Sequence, residues 1–125
     1  MLTHLDTNFL VRAVGGRSVE AALLETWLRE RRPVAVSSVT WAEFLCGPVA
    51  PAAARVASDI VGAPVAFGAA QAVLAADCFN AGGRRRRSTG DCMIAAAAIT
   101  AGAVLATSNV ADFQRFTPLG LRLAT

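Results

Sequence analysis

Lysine and tyrosine are absent from the 125 residues of this chain, and histidine occurs once. With His4 as the sole imidazole, set inside a short apolar opening segment, a histidine pair sharing acid and base roles is excluded, and His4 reads as a structural residue. Cysteine is scarce too. Cys46, Cys78 and Cys92 are odd in number, widely spaced and include no C-x-x-C pair, which argues against disulfides and zinc and leaves all three as packing residues. Apolar runs are broken by charge or glycine well before the roughly 18 residues that a bilayer span needs. Met1 to Phe9 lacks the basic start, apolar centre and small-residue cleavage site of a secretory signal. A cytoplasmic protein without a membrane segment is expected.

What is present is apolar. Hydrophobic residues make up 54% of the sequence and charged residues 17%, enough apolar surface for one real core, so residues 1–125 are expected to form one domain. The formal net charge of +3 comes from twelve arginines against nine acids, and four of the arginines are consecutive: Arg84, Arg85, Arg86 and Arg87. Guanidinium groups favour bidentate phosphate contact, so where this charge lies matters more than its total.

Leu2 to Leu5 reads as a strand that ends at Asp6, Thr7 and Asn8, residues suited to capping a helix. From Val19 the apolar positions follow a period near 3.6, predicting an amphipathic helix ended by Pro33. Val34 to Val36 is a short β-branched run. Ser37 and Ser38 then cap a helix through Trp41, Glu43, Phe44 and Leu45, which stops at Gly47 and Pro48. Pro51 to Val61 reads as a helix, Pro64 to Phe67 as a short strand, and Ala69 to Phe79 as an alanine-rich helix stopping before Gly82 and Gly83. The arginine run follows in a loop. Ser88, Thr89 and Gly90 open a helix from Asp91 to Ala101, Val104 to Thr107 is a buried strand, Asn109 begins a helical turn, and Leu119 to Leu123 is a final edge strand. Strands alternating with helices imply an α/β fold: a mostly parallel sheet of four to five strands flanked by helices.

In such sheets binding sites gather beyond the carboxyl ends of the strands. Asp6 falls at the end of the first strand, Glu43 early in the helix after the second, Asp91 at a helix start, and Asn109 just past the Val104 to Thr107 strand. Taken singly, Asp6 and Asp91 are ordinary helix N-terminal acids and Glu43 a solvated one. Two features favour more. Glu43 sits between Trp41 and Phe44, where an unpaired buried carboxylate would cost several kcal/mol, and Asp91 opens a helix that is apolar nearly all round. Without lysine to neutralise them, a divalent cation is the economical partner, and oxygen ligands select Mg²⁺ or Mn²⁺ over zinc.

Four strings together, Leu5-Asp6-Thr7-Asn8, Ser38-Val39-Thr40-Trp41-Ala42-Glu43, Gly90-Asp91-Cys92-Met93-Ile94-Ala95-Ala96 and Thr107-Ser108-Asn109-Val110-Ala111-Asp112-Phe113, resemble the PIN domain, most closely its VapC-type toxins. The resemblance implies a Mg²⁺- or Mn²⁺-dependent endoribonuclease, the toxin of a toxin–antitoxin pair, inhibited by a small cognate antitoxin and commonly a homodimer. Asp6 and Asp91 match the principal metal ligands and Glu43 the third acid. Asn109 stands where many relatives carry Asp, with Asp112 one turn later, which favours one tightly held metal over two. Thr7, Asn8 and Thr107 match polar positions that orient ligands or water.

The run Arg84, Arg85, Arg86 and Arg87 precedes the Asp91 helix and is expected beside the acidic crevice as the candidate contact for RNA phosphates, with Arg12 and Arg17 weaker ones. Antitoxin contact and a plain solvated loop are the alternatives. Competing functions are a PIN-like module that binds RNA or protein without appreciable cutting, and a Mg²⁺-dependent phosphatase with Asp6 as nucleophile. The phosphatase is disfavoured because Asn8 replaces its usual second Asp and no lysine steadies the phosphoryl group.

Overall fold

A computed structural model describes residues 1–124. Thr3, His4 and Leu5 form β1 (Thr3–Leu5), and all three are buried. A strand buried on consecutive residues has no solvent face, as befits the middle of a parallel sheet. β2 (Val34–Ala35) pairs with β1 on one side, β3 (Val104–Ala106) on the other, and β4 (Arg122–Leu123) lies beyond β3. The order is β2-β1-β3-β4 and every pairing is parallel.

The register sets His4 beside Leu105 and Leu5 beside Ala106. Because the pleat alternates faces, Leu5 and Ala106 enter one core while Leu105 enters the other. The first core is closed by α1 (Thr7–Val14), α2 (Val19–Arg29), α3 (Ser38–Cys46) and α4 (Pro51–Val61). There Phe9 and Trp27 stack with ring centroids 5.6 Å apart, each such burial contributing roughly 1.5–3 kcal/mol. The second core lies under α5 (Ala69–Ala81), α6 (Thr89–Thr100), α7 (Val110–Phe113) and the 3-10 turn Gln114–Leu119.

Buried Ala95 to Ala98 let α6 approach both α5 and the sheet closely, and the helix is stopped by Gly102 in a left-handed conformation (φ 66°). Gly102 N–H donates to Ile99 O and Ala103 N–H to Ala98 O, both at 3.0 Å, the paired bonds of a Schellman turn that delivers the chain into β3. No helix among the described residues is long and apolar enough to cross a membrane.

Two expected elements differ. α2 stops at Arg29, ahead of Pro33, because Arg31 (φ 57°) makes the left-handed turn itself, with Arg32 N–H bonded to Trp27 O at 2.9 Å. The expected strand Pro64 to Phe67 shrinks to a single bridge between Ser37 and Val65. Pro64 has no N–H to give a ladder, and Phe67 N–H is taken by the Ser38 hydroxyl at 3.1 Å. Four strands therefore make the sheet.

Candidate active site

After β1 the chain forms β2 on one side and later returns to form β3 on the other. The carboxyl ends of β1 and β3 thus flank the point where the sheet order reverses, the place where an open α/β sheet leaves a crevice. Asp6 follows β1 directly and Thr107 follows β3 directly.

Asp6 is 3% exposed and caps α1: its Oδ1 accepts from Phe9 N–H at 2.8 Å and its Oδ2 from the Thr107 hydroxyl. The Thr107 oxygen in turn accepts from Asn109 N–H at 2.9 Å, so the loop after β3 is tied to the acid after β1. Across the crevice the Thr7 hydroxyl donates to Glu43 Oε1. Asp91 lies in the first turn of α6, half-buried. Asp6, Thr7, Asn8, Glu43, Asp91 and Asn109 all face one cleft of about 490 Å³, with Ile94 and Phe113 as apolar walls.

The electrostatics match the crowding. Burial raises the Asp6 pKa above its ordinary 3.8 and Glu43 raises it further, against the lowering effect of the Thr107 and Phe9 hydrogen bonds. Burial also raises Asp91, with Asp112, Glu43 and Asp6 adding to the effect and Arg115 opposing it. Among the described residues, no basic side chain comes within ion-pairing distance of Asp6, Glu43 or Asp91.

A model of the PIN domain matches residues 4–117. The chain belongs to the PIN domain family. PIN domains are in general nucleases. Among curated proteins, none matches the sequence. Solved structures with the same fold include a chain of VapBC2 from Rickettsia felis bound to a DNA fragment from the promoter, at 22% identity and TM-score 0.81, covering 99% of this chain and 98% of that one. A chain of VapBC-1 from nontypeable Haemophilus influenzae superposes at 21% identity and TM-score 0.74, covering 99% and 97%. A chain of FitAcB from Neisseria gonorrhoeae does so at 18% identity and TM-score 0.75, covering 100% and 97%.

Within this PIN domain two expectations about the cleft are revised. Glu43 is not an apolar-flanked buried acid: it is exposed, because Phe44 turns into the core while Glu43 turns outward on α3. Cys46, read as a packing residue, is exposed and lines the cleft one helical turn beyond Glu43, a neighbour that its i+3 spacing could have disclosed. Cys78 and Cys92 are buried as expected. Asp112 lies beside the cleft rather than in its walls, 3.8 Å from Arg85. His4 is 1% exposed in the centre of β1, with its pKa lowered by burial.

Sequence reasoning also missed Gly90. A Cβ there would stand 2.8 Å from Glu43 Oε2, so the bare backbone at the start of α6 makes room for the Glu43 carboxylate beside Asp91.

The arginine run, expected to stand beside the acids as one patch, divides instead. Arg85 reaches toward Asp112 beside the cleft, while the Arg84 guanidinium lies 5.3 Å from the Phe79 ring centroid and donates to Asn80 Oδ1, on the far side of α6. Arg86 is exposed, lines no part of the cleft and forms no ion pair among the described residues. The cause is a tight turn closed by Ser88 N–H on Arg85 O at 3.3 Å, which puts Arg86 and Arg87 at its two central positions, facing solvent.

Proposed function

We propose that this PIN domain is a Mg²⁺- or Mn²⁺-dependent endoribonuclease, the toxin of a toxin–antitoxin pair, acting through Asp6, Asp91 and Glu43. The observation that carries the reading is the meeting of three carboxylates, one just after β1 and one each from α3 and α6, in one cleft with no arginine paired to any of them among the described residues.

The donor chemistry fits a hard divalent cation. Asp6, Thr7, Asn8, Glu43, Asp91 and Asn109 all offer oxygen to the cleft, and the bare backbone of Gly90 lets the Glu43 carboxylate approach the start of α6 beside Asp91. No three acids among the described residues form a ready-made cage, and Mg²⁺ does not need one, since one or two carboxylates hold it with water and substrate phosphate completing the shell. Asp6 and Asp91 would hold the ion, with Asn109 and Asp112 too weakly placed or already paired to secure a second. Bound there, Mg²⁺ or Mn²⁺ supplies Lewis acidity toward phosphoryl oxygen and eases the ionisation of water.

The chain's own residues do the rest. Thr107 and Phe9 N–H hold the Asp6 carboxylate in one orientation, and Thr7 fixes Glu43 through a single oxygen, leaving the other free to accept a proton. Water adds to phosphorus as the bond to the leaving ribose oxygen breaks; Glu43 takes the proton that the attacking water gives up, and solvent water protonates the leaving oxygen. Arg85, paired with Asp112 beside the cleft, suits a phosphate flanking the scissile bond. Arg86 and Arg87, exposed at the tip of the same loop, suit phosphates farther along the strand.

Partners follow the same reading. The solved neighbours are VapBC and FitAcB complexes, and Val11, Leu23, Leu28 and Val56 are exposed apolar side chains on α1, α2 and α4. A small cognate antitoxin covering such side chains, and a homodimeric toxin, are the expected assembly. The test is incubation of purified protein with single-stranded RNA, with Mg²⁺ or Mn²⁺ and with chelator. Cleavage is expected only with metal, and Asp6→Asn is expected to lower it on the order of a thousandfold. Cleavage that survives chelation or Asp6→Asn contradicts the mechanism, and RNA binding without any cutting favours the non-cleaving module.

A further inference from the structure

A second cavity, of about 390 Å³, lies on the opposite side of α6 from the acids. It is lined by Phe67, Phe79 and Met93 and by Ala72, Ala75 and Ala76, of which Ala75 is buried, with Arg84 at its edge; no acid contributes to its lining among the described residues. The helix separates the two sites by its own periodicity: Thr89 and Met93 face the cavity, Asp91 and Ile94 the cleft.

That edge is built, not frayed. Gly83 (φ 89°) turns the chain at the end of α5, and Arg84 N–H donates to Phe79 O at 2.9 Å, which folds Arg84 back over the Phe79 ring. The Asn80 carbonyl oxygen then holds the guanidinium in place. An aromatic slot with an ordered guanidinium plane at its edge, in a loop that carries three further arginines, is the chemistry that takes a flat, apolar-faced ring carrying a negative charge nearby.

From this geometry we infer that the cavity binds a nucleobase of single-stranded RNA, one that neighbours the bond cut on the other side of α6. The inference rests on the ribonuclease reading above and adds to it a base-holding subsite. The strand crosses at the N-terminal end of α6, where the arginine loop joins the two sites: Arg84 lies at the cavity and Arg85, paired with Asp112, beside the cleft. Charge decides among occupants. A second apolar surface of this chain would fill the slot but leave Arg84, Arg86 and Arg87, none of them ion-paired among the described residues, beside a surface without counter-charge, whereas an RNA strand satisfies both.

The test uses the full chain carrying Asp6→Asn, so that RNA is held and not cut, with Mg²⁺ and short single-stranded RNAs of mixed sequence bearing 2-aminopurine at each position in turn. One position is expected to lose fluorescence on binding. Ala76→Phe fills the cavity from an exposed helix position and should abolish that quenching and weaken binding about tenfold, the usual worth of one stacked base. Val73→Phe, on the outward side of α5 at 66% exposure, adds the same bulk and should change neither. An abasic nucleotide at the quenched position should weaken binding to the same extent, with Ala76→Phe adding nothing further.

Unchanged quenching and affinity in Ala76→Phe would overturn the inference, as would the absence of quenching at every position. So would Ala76→Phe turning a dimer into monomers in sedimentation, since that assigns the cavity to a second copy. Cleavage of the same RNAs by the wild-type chain with Mn²⁺ is read separately. Cutting without a quenched position removes the base subsite alone, and quenching without cutting removes the nuclease reading alone.

Discussion

On one face of α6, Asp91 and Ile94 look into a cleft governed by carboxylates; on the other, Thr89 and Met93 look into a cavity whose walls contain no acid. The cleft is held by directed bonds that run across the sheet, Asn109 N–H to Thr107 to Asp6 and Thr7 to Glu43. The cavity is made by subtraction, alanines at 72, 75 and 76 leaving space beside two phenylalanines. Hydrogen bonds fix where charges sit but leave them buried and close together, and the raised Asp6 and Asp91 pKa values reflect burial first and the neighbouring acids second. Small side chains leave a shape with no electrostatic cost. One short helix can therefore present a strained polar site and a relaxed apolar one back to back.

The largest separation of the two faces is expected from Thr107→Val, which keeps the side-chain shape and removes the hydroxyl that holds Asp6. Metal affinity, read by Mn²⁺ titration, and RNA cleavage should each fall about ten- to a hundredfold, the usual effect of losing a group that orients a ligand. Base quenching at the cavity should persist. If metal binding and cleavage were unaffected, the Thr107 bond would be incidental to the cleft.

A smaller effect is expected on stability. Asp6 and Asp91 have folded-state pKa values raised above 3.8, so between that value and the raised ones the folded chain binds more protons than the unfolded chain. Stability then falls as pH rises through this window; the penalty is absent below about 3.8 and complete above the folded values. Metal-free Asp91→Asn should therefore melt higher than wild type at neutral pH. The gain is about 1 kcal/mol after allowing for solvent screening at a half-buried group and for the favourable helix-dipole interaction that is lost. The difference should vanish toward pH 3.8, and added Mg²⁺ should favour wild type more than the variant. An equal or lower melting temperature at neutral pH would contradict the raised Asp91 pKa that its burial and the neighbouring acids produce.

The smallest effect separates neighbouring arginines. Arg85→Ala breaks an exposed pair with Asp112 and should cost less than about 0.5 kcal/mol of stability while weakening RNA binding in a salt-dependent way. Arg84→Ala should instead reduce the base quenching. Identical behaviour of the two variants in both assays would return the run to a uniform solvated loop.

The alternation of short apolar runs with capped helices was enough to read an α/β sheet and to place Asp6, Glu43, Asp91 and Asn109 at one edge, because both depend on local patterns of period 2 and 3.6. Facts that depend on distant chain were not legible. The strand expected at Pro64 to Phe67 fails because Ser38, 29 residues away, takes the Phe67 N–H. Glu43 looked buried because its sequence neighbours are apolar, yet adjacent helical residues point in different directions and only Phe44 turns inward. Gly90 carries no side chain to notice, and its role exists only through the approach of α3. The arginine run read as one feature because sequence shows charge and not the left-handed turns, Arg84 at φ 54° and Arg87 at φ 61°, that send its members apart and leave Arg86 at the tip of the loop.

The central claim is that Asp6 and Asp91 together hold a divalent cation. Crystals grown with Mn²⁺ and measured for anomalous scattering at its absorption edge test it most directly. A single strong peak is expected between the two carboxylates, at ligand distances of roughly 2.0–2.2 Å, with Glu43 at its edge and no comparable peak beside Asp112. A peak elsewhere on the molecule, or none in the cleft at saturating Mn²⁺, would contradict it.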